Sequence, residues 1–298
     1  MRQIQLPTRQ EWSAEIQDWL RGAAGGFLFG IPLLYTMEVW WIGSYVEPPL
    51  MLVVLAITSS IVFLLNRTDG FRQSSPDSSQ QAAMDSLEAI AIGVLSVTAI
   101  LFLLREIDAT TPLSEALGKI VLEGMPFTIG VALARSILSG MRDQRGDAES
   151  DSSGKAEKIH HLANNHHNAA LADLGATLVG AIFIAFSIAP TDEVPLLAAA
   201  SSPSWLLSIL IASLLISYCI VFVAGFTTQE HRLQQQGAFQ HPLVETVMAY
   251  LVSLIAAALM LWIFHRLSLA DPWTVWLERT LILGLPATIG GAAGRLAI

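Results

Sequence analysis

Charge is scarce in this chain. Asp, Glu, Lys and Arg make up 14% of its 298 residues, whereas soluble domains carry about 25%, which argues against a soluble globular fold. Cysteine is scarcer still. The single Cys219 excludes a disulfide within the chain, and its place in the apolar run 209–226 reads as a small buried hydrophobe. The signatures of soluble enzymes are missing: G-x-S-x-G, H-E-x-x-H, the phosphate-binding P-loop and the G-x-G-x-x-G turn. An ATP-driven pump is therefore not expected, and no catalytic residues are assigned. No cleavable leader is expected either, because Arg2, Arg9, Glu11, Glu15, Asp18 and Arg21 precede the first apolar run near Gly22. The net charge of -9 is spread over loops and helix ends, so no nucleic-acid partner is expected.

What the chain has in abundance is apolar sequence. Hydrophobic residues reach 53% and the mean hydropathy is +0.55. A hydrocarbon core of about 30 Å needs roughly 20 apolar residues per helix. Eight runs meet or approach that length: 22–42, 49–66, 86–104, 120–138, 171–190, 205–226, 245–265 and 277–297. The expected fold is an all-α polytopic transmembrane bundle of about eight spans. Residues 1–21 read as an interfacial or cytosolic helix, with a Thr8-x-x-Glu11 capping box and Trp12, Ile16 and Trp19 on one face. Residues 67–81 and 139–158 are polar, rich in Ser, Gly and Asp, and read as mobile loops.

Lysine and arginine are retained on the cytoplasmic side. With the N-terminus inside, Arg105, Lys119, Arg266 and Arg279 fall outside and the other twelve fall inside. Both termini are thus expected in the cytoplasm of a multi-pass protein of the bacterial inner membrane. The outer side would carry ten acids against those four bases, a surface that concentrates cations.

A long internal repeat is also present. Gly124-Met-Pro126-Phe-Thr128-Ile129-Gly130 precedes Arg135 by five residues, and Gly284-Leu-Pro286-Ala-Thr288-Ile289-Gly290 precedes Arg295 by five. At that offset of 160, Asp85 falls on Glu245; near 155, Glu38-Val39 falls on Glu193-Val194. The expected organisation is a first four-helix repeat over 22–140, a cytosolic linker over 141–158 and a second repeat over 159–298. Four spans per half is an even number, so the halves would be parallel, related by a pseudo-two-fold axis along the membrane normal.

Paired Gly/Pro-interrupted spans point to a membrane binding site. Pro126 and Pro286 free the carbonyls of Leu122 and Ile282, and Thr128 and Thr288 lie two residues on. Close helix packing is the other reading of the same residues, and the favoured one. Acids within spans are functional hypotheses by default. Glu38 and Glu193, with Asp192 and Glu123, are expected at one outer level, where carboxylates suit a cation or a proton relay. The competing reading pairs Glu38 with an arginine or leaves it at the interface beside Trp40 and Trp41. His160, His161, His166 and His167 offer metal-ligand chemistry, but without an i, i+4 pair; a solvated helix start accounts for them as well.

The segments Gly30-Ile-Pro-Leu-Leu-Tyr-Thr-Met-Glu-Val-Trp-Trp41, Ala189-Pro-Thr-Asp-Glu193 and the two G-x-P-x-T-I-G motifs together resemble a bacterial family of integral membrane proteins defined as a domain of unknown function. The resemblance covers nearly the whole chain and implies a bacterial membrane protein. It supplies no catalytic residues. A cation or proton channel or transporter is the leading expectation, with no cofactor beyond a bound cation and the lipid bilayer and a small cation or proton as partners. A non-transporting sensor, assembly factor or lipid-binding module using the His-rich segment comes second, and a membrane-embedded lipid enzyme third. A homodimer is compatible with each.

Overall fold

The computed structural model describes residues 9–68, 79–150, 162–223 and 242–296. Every regular element among them is helical. They are α1 (Arg9–Leu34), α2 (Met37–Tyr45), α3 (Pro48–Thr68), α4 (Ser79–Leu103), α5 (Leu113–Ser150), α6 (Leu162–Ile188), α7 (Glu193–Ala200), α8 (Pro203–Tyr218), α9 (Pro242–Ile263) and α10 (Trp273–Leu296). A π-helical turn, Cys219–Val223, extends α8.

Five helices are long and apolar enough to cross a membrane, or up to seven spans if each of two bent pairs counts as one. Large apolar side chains such as Leu95, Phe183, Leu215 and Ile255 point outward on these helices. That is the pattern expected where lipid tails rather than water cover the surface. The chain is an α-helical membrane protein.

Small residues set the helix spacing. A Cβ on Gly25 of α1 would come 2.5 Å from the Gly130 carbonyl oxygen of α5, and one on Gly130 would come equally close to the Gly25 oxygen. Gly180 of α6 and Gly290 of α10 block each other in the same reciprocal way. With no hydrophobic drive between helices in lipid, such close backbone approach is the main source of packing. Ile31, Leu34, Leu101, Phe127, Ile209, Ile282 and Leu285 fill the interior around these contacts.

Helices α4 and α9 end alike. The N–H of Glu106 donates to Leu101 O (2.9 Å) and that of Arg266 to Leu261 O (2.8 Å). These bonds require the preceding residue to be left-handed, and Arg105 (φ 63°) and His265 (φ 57°) take that role without being glycine. In the turn after α4, Lys119 Nζ donates to Glu106 O (2.8 Å); in the turn after α9, Arg279 donates to Arg266 O.

Three expectations are corrected. The segment 9–21 is no separate helix: nothing in it stops the backbone, and α1 runs through it with Arg21 buried and paired to Asp18 (2.5 Å). Thr8 lies outside the described residues. The apolar run 22–42 is not one straight span, because the helix breaks after Leu34. Residues 139–150, read as loop, continue α5 as helix, since no proline interrupts them.

Candidate functional site at the two chain breaks

The chain turns through 92° between α1 and α2, and through 90° between α6 and α7. At the first break Thr36 is extended, and its hydroxyl donates back to Leu33 O (2.8 Å) rather than capping α2. Trp40 Nε1 donates to Leu34 O (2.8 Å). Two orphan carbonyls at the end of α1 are thereby satisfied. At the second break Pro190 cannot continue α6, and the Thr191 hydroxyl donates to Ile188 O (2.6 Å). Thr36 and Thr191 do the same work 155 residues apart.

A cavity of about 530 Å³ lies where the two breaks meet. From the first break it is lined by Pro32, Leu33, Tyr35, Thr36, Met37 and Glu38; from the second by Ser187, Ile188, Pro190, Thr191, Asp192 and Glu193. Each residue of the first set has its partner in the second at an offset of 155. Arg266, from the turn after α9, completes the wall.

The charges are arranged unequally. Arg266 NH1 donates to Asp192 Oδ1 (2.6 Å), and its Nε donates to Pro190 O (3.0 Å). That guanidinium offsets one carboxylate. Glu193 accepts from the Met37 backbone N–H through Oε1 (3.1 Å), so it caps α2 from the other break in place of Thr36. Only 6% of Glu193 is exposed, and its Oε2 has no hydrogen-bond partner. Glu38 is exposed at the cavity wall. Three carboxylates against one arginine leave the cavity acidic, with Glu193 in want of a donor or cation.

Tyr35 closes one side of this cavity. Its hydroxyl donates to Ile282 O (2.9 Å), the carbonyl that Pro286 frees in α10. A proline-freed carbonyl in the bundle thus has its partner in the other half of the chain.

Glu38, Asp192 and Glu193 are brought together; Glu123, Thr128, Thr288, Pro126 and Pro286 do not line the cavity. Glu123 is buried in α5 at 2% exposure, with Oε1 unpartnered, one turn beyond Lys119. Lys119 pairs with Glu106 (3.3 Å) and Glu115 (3.1 Å). Burial pushes the Glu106 carboxyl above the ordinary glutamate range, and Lys119 offsets part of that rise. The Thr128 hydroxyl donates to Gly124 O (2.6 Å), while that of Thr288, also buried, has no partner. His160 and His161 lie outside the described residues, as do the side chains of His166 and His167. No group of three or more His, Cys, Asp or Glu able to hold a metal occurs among the described residues.

Sequence reasoning missed Arg266 and Tyr35. Arg266 counted only as one of four outer bases. Tyr35 stands three residues before Glu38, and the carbonyl it serves had been identified without its donor.

Residues 18–298 match the family described as "Putative integral membrane protein (DUF2391)", whose function is unknown. No curated protein and no solved structure matches the chain.

Proposed function

The chain belongs to this family of integral membrane proteins, and from that premise we propose that it is a cation or proton channel or transporter whose outer entry is the acidic cavity. One observation carries the reading: two matched chain breaks face each other around three carboxylates, one of them buried with a free oxygen. Irregular backbone at membrane depth is tolerated where it lines a cavity, and buried acids cluster along ion pathways.

On this reading the bundle has eight spans, α10 being the eighth beside the seven above. It is built as two parallel halves over 22–140 and 159–298. The paired glycine contacts, the like-shaped turns after α4 and α9 and the 155-residue pairing around the cavity support that organisation. The distribution of lysine and arginine supports cytoplasmic termini and, with the bacterial affinity of the sequence motifs, a place in the bacterial inner membrane. The cavity then opens on the outer side, near the axis relating the halves. No catalytic role is proposed.

The test is flux into proteoliposomes of H+, Na+, K+ and Ca2+, for wild type and Glu38→Gln. A flux that falls in the folded variant is the expected result. Absence of flux for every cation in well-folded wild type would overturn the reading in favour of a partner-binding module.

A further inference from the structure

Beyond the cavity, polar side chains continue into the second half of the chain. Tyr35 stands at the cavity wall with its hydroxyl on Ile282 O. Tyr250 of α9 reaches the same stretch of α10, beside Gly284, two residues past Ile282. A Cβ at Gly284 would meet Leu254 Cδ2 at 2.5 Å and the Tyr250 hydroxyl oxygen at 3.8 Å, so both side chains pack over that glycine. Ser213 of α8 lies beside the same hydroxyl but donates to Ile209 O (2.7 Å). Tyr250 is 4% exposed, and its hydroxyl has no well-formed hydrogen bond.

Further along, Thr288 of α10 is 1% exposed with its hydroxyl unpartnered. Ser253 of α9 donates to Ala249 O (2.9 Å) and faces Gly291 with its acceptor side, where a Cβ would come 2.7 Å from the serine oxygen. The last groups are Glu245 and Arg295, an ion pair with the arginine at 1% exposure and its guanidinium over the Phe222 ring. At 1.5 Å per residue, Thr288 is about 9 Å and Arg295 about 20 Å along α10 from Ile282. The stripe therefore crosses about two-thirds of a 30 Å hydrocarbon core.

We propose that Tyr35, Tyr250, Thr288 and Ser253 form a proton relay from the acidic cavity to the Glu245–Arg295 pair, which makes the proton the cargo. The inference rests on the reading of the cavity as an ion entry and specifies what passes. Two buried hydroxyls carry it, that of Thr288 without a partner and that of Tyr250 with only Ser213 beside it. Such groups are costly unless a donor or acceptor serves them. Hydroxyls a helical turn apart are bridged by one water, and those two turns apart by a short file of waters. Each passes a proton by donating one bond as it accepts another. A metal cation needs six or more oxygens around it at each stage. This stripe offers one or two.

The first half does not repeat the stripe. At an offset of 160 Tyr250 becomes Ile90 and Ser253 becomes Gly93, while Ser213 keeps a hydroxyl, as Thr58, at an offset of 155. Thr128, the mate of Thr288, is closed onto Gly124 O and packs against Gly93. A single route through the second half follows.

The test is proton flux into proteoliposomes, read with an entrapped pH dye, for wild type, Tyr250→Phe, Thr288→Val and Ile90→Tyr. Each variant is first checked for monodispersity and helicity. Tyr250→Phe removes one oxygen and keeps the ring, and proton flux is expected to fall about tenfold or more; Thr288→Val reads the same route if Tyr250→Phe fails to fold. Ile90→Tyr in the first half should leave flux unchanged. Proton flux at wild-type level in both folded stripe variants overturns the relay. Flux of Na+, K+ or Ca2+ without protons overturns it too, yet leaves the cavity as an ion entry. No flux of any ion from wild type overturns both.

Discussion

Glu193 is the residue on which the account turns, because it belongs to both breaks at once. The residue begins α7, lines the cavity and caps α2 through one carboxylate oxygen, while its second oxygen is buried without a partner. Glutamine at this position keeps an acceptor for the Met37 N–H and removes the charge, so folding should survive. Glu106, outside the spans, makes a separate prediction. Burial raises its proton affinity in the folded protein, so its contribution to stability is complete below the ordinary glutamate range and is lost as pH rises through the raised value. Glu106→Gln should flatten that portion of the pH profile of unfolding, read by circular dichroism in detergent; an unchanged profile would contradict the assignment. His265 makes a third. It is exposed and left-handed, so His265→Gly should stabilise by about 0.5–1 kcal/mol, visible as a higher unfolding temperature.

At the scale of the helix, identical chemistry has opposite effects according to what faces it. Gly175 and Gly180 lie on α6; a Cβ at Gly175 meets nothing within 4 Å, while one at Gly180 strikes the Gly290 carbonyl. Gly180→Ala should destabilise by about 1–3 kcal/mol through overpacking. Gly175→Ala should be neutral or stabilise by up to about 1 kcal/mol through helix propensity. Thermal unfolding of the two variants in one detergent decides the matter, and equal behaviour would contradict the close packing of α6 on α10. The all-helical, membrane-spanning character was legible in the sequence because hydropathy has a length scale set by the bilayer. The breaks at Leu34 and Ile188 were less so. Tyr35 and Thr36 carry no strong stop signal, and the bend depends on Trp40 and Thr36 serving carbonyls that sequence spacing alone does not connect.

Across the whole molecule, the two G-x-P-x-T-I-G segments were legible, and of their two readings helix packing is the one their contacts follow. They do not line the cavity. Their glycines set the close helix contacts, and one of their prolines frees the carbonyl that Tyr35 takes. The acids Glu38, Asp192 and Glu193 were legible as a group because all three sit where spans end. Glu123 was not separable from them by depth, since depth along a helix says nothing of the face on which a side chain lies. Arg266 joined the site from 74 residues beyond Asp192, a long-range contact that no local pattern announces.

The most direct measurement is the flux of the transported ion through Glu193→Gln in proteoliposomes, alongside wild type of matched helicity and unfolding temperature. At an effective dielectric of about 20, a unit charge about 5 Å from a passing cation is worth about 3 kcal/mol, so flux should fall by about tenfold or more. A folded Glu193→Gln protein that carries the ion at the wild-type rate would contradict the assignment of the cavity as the entry.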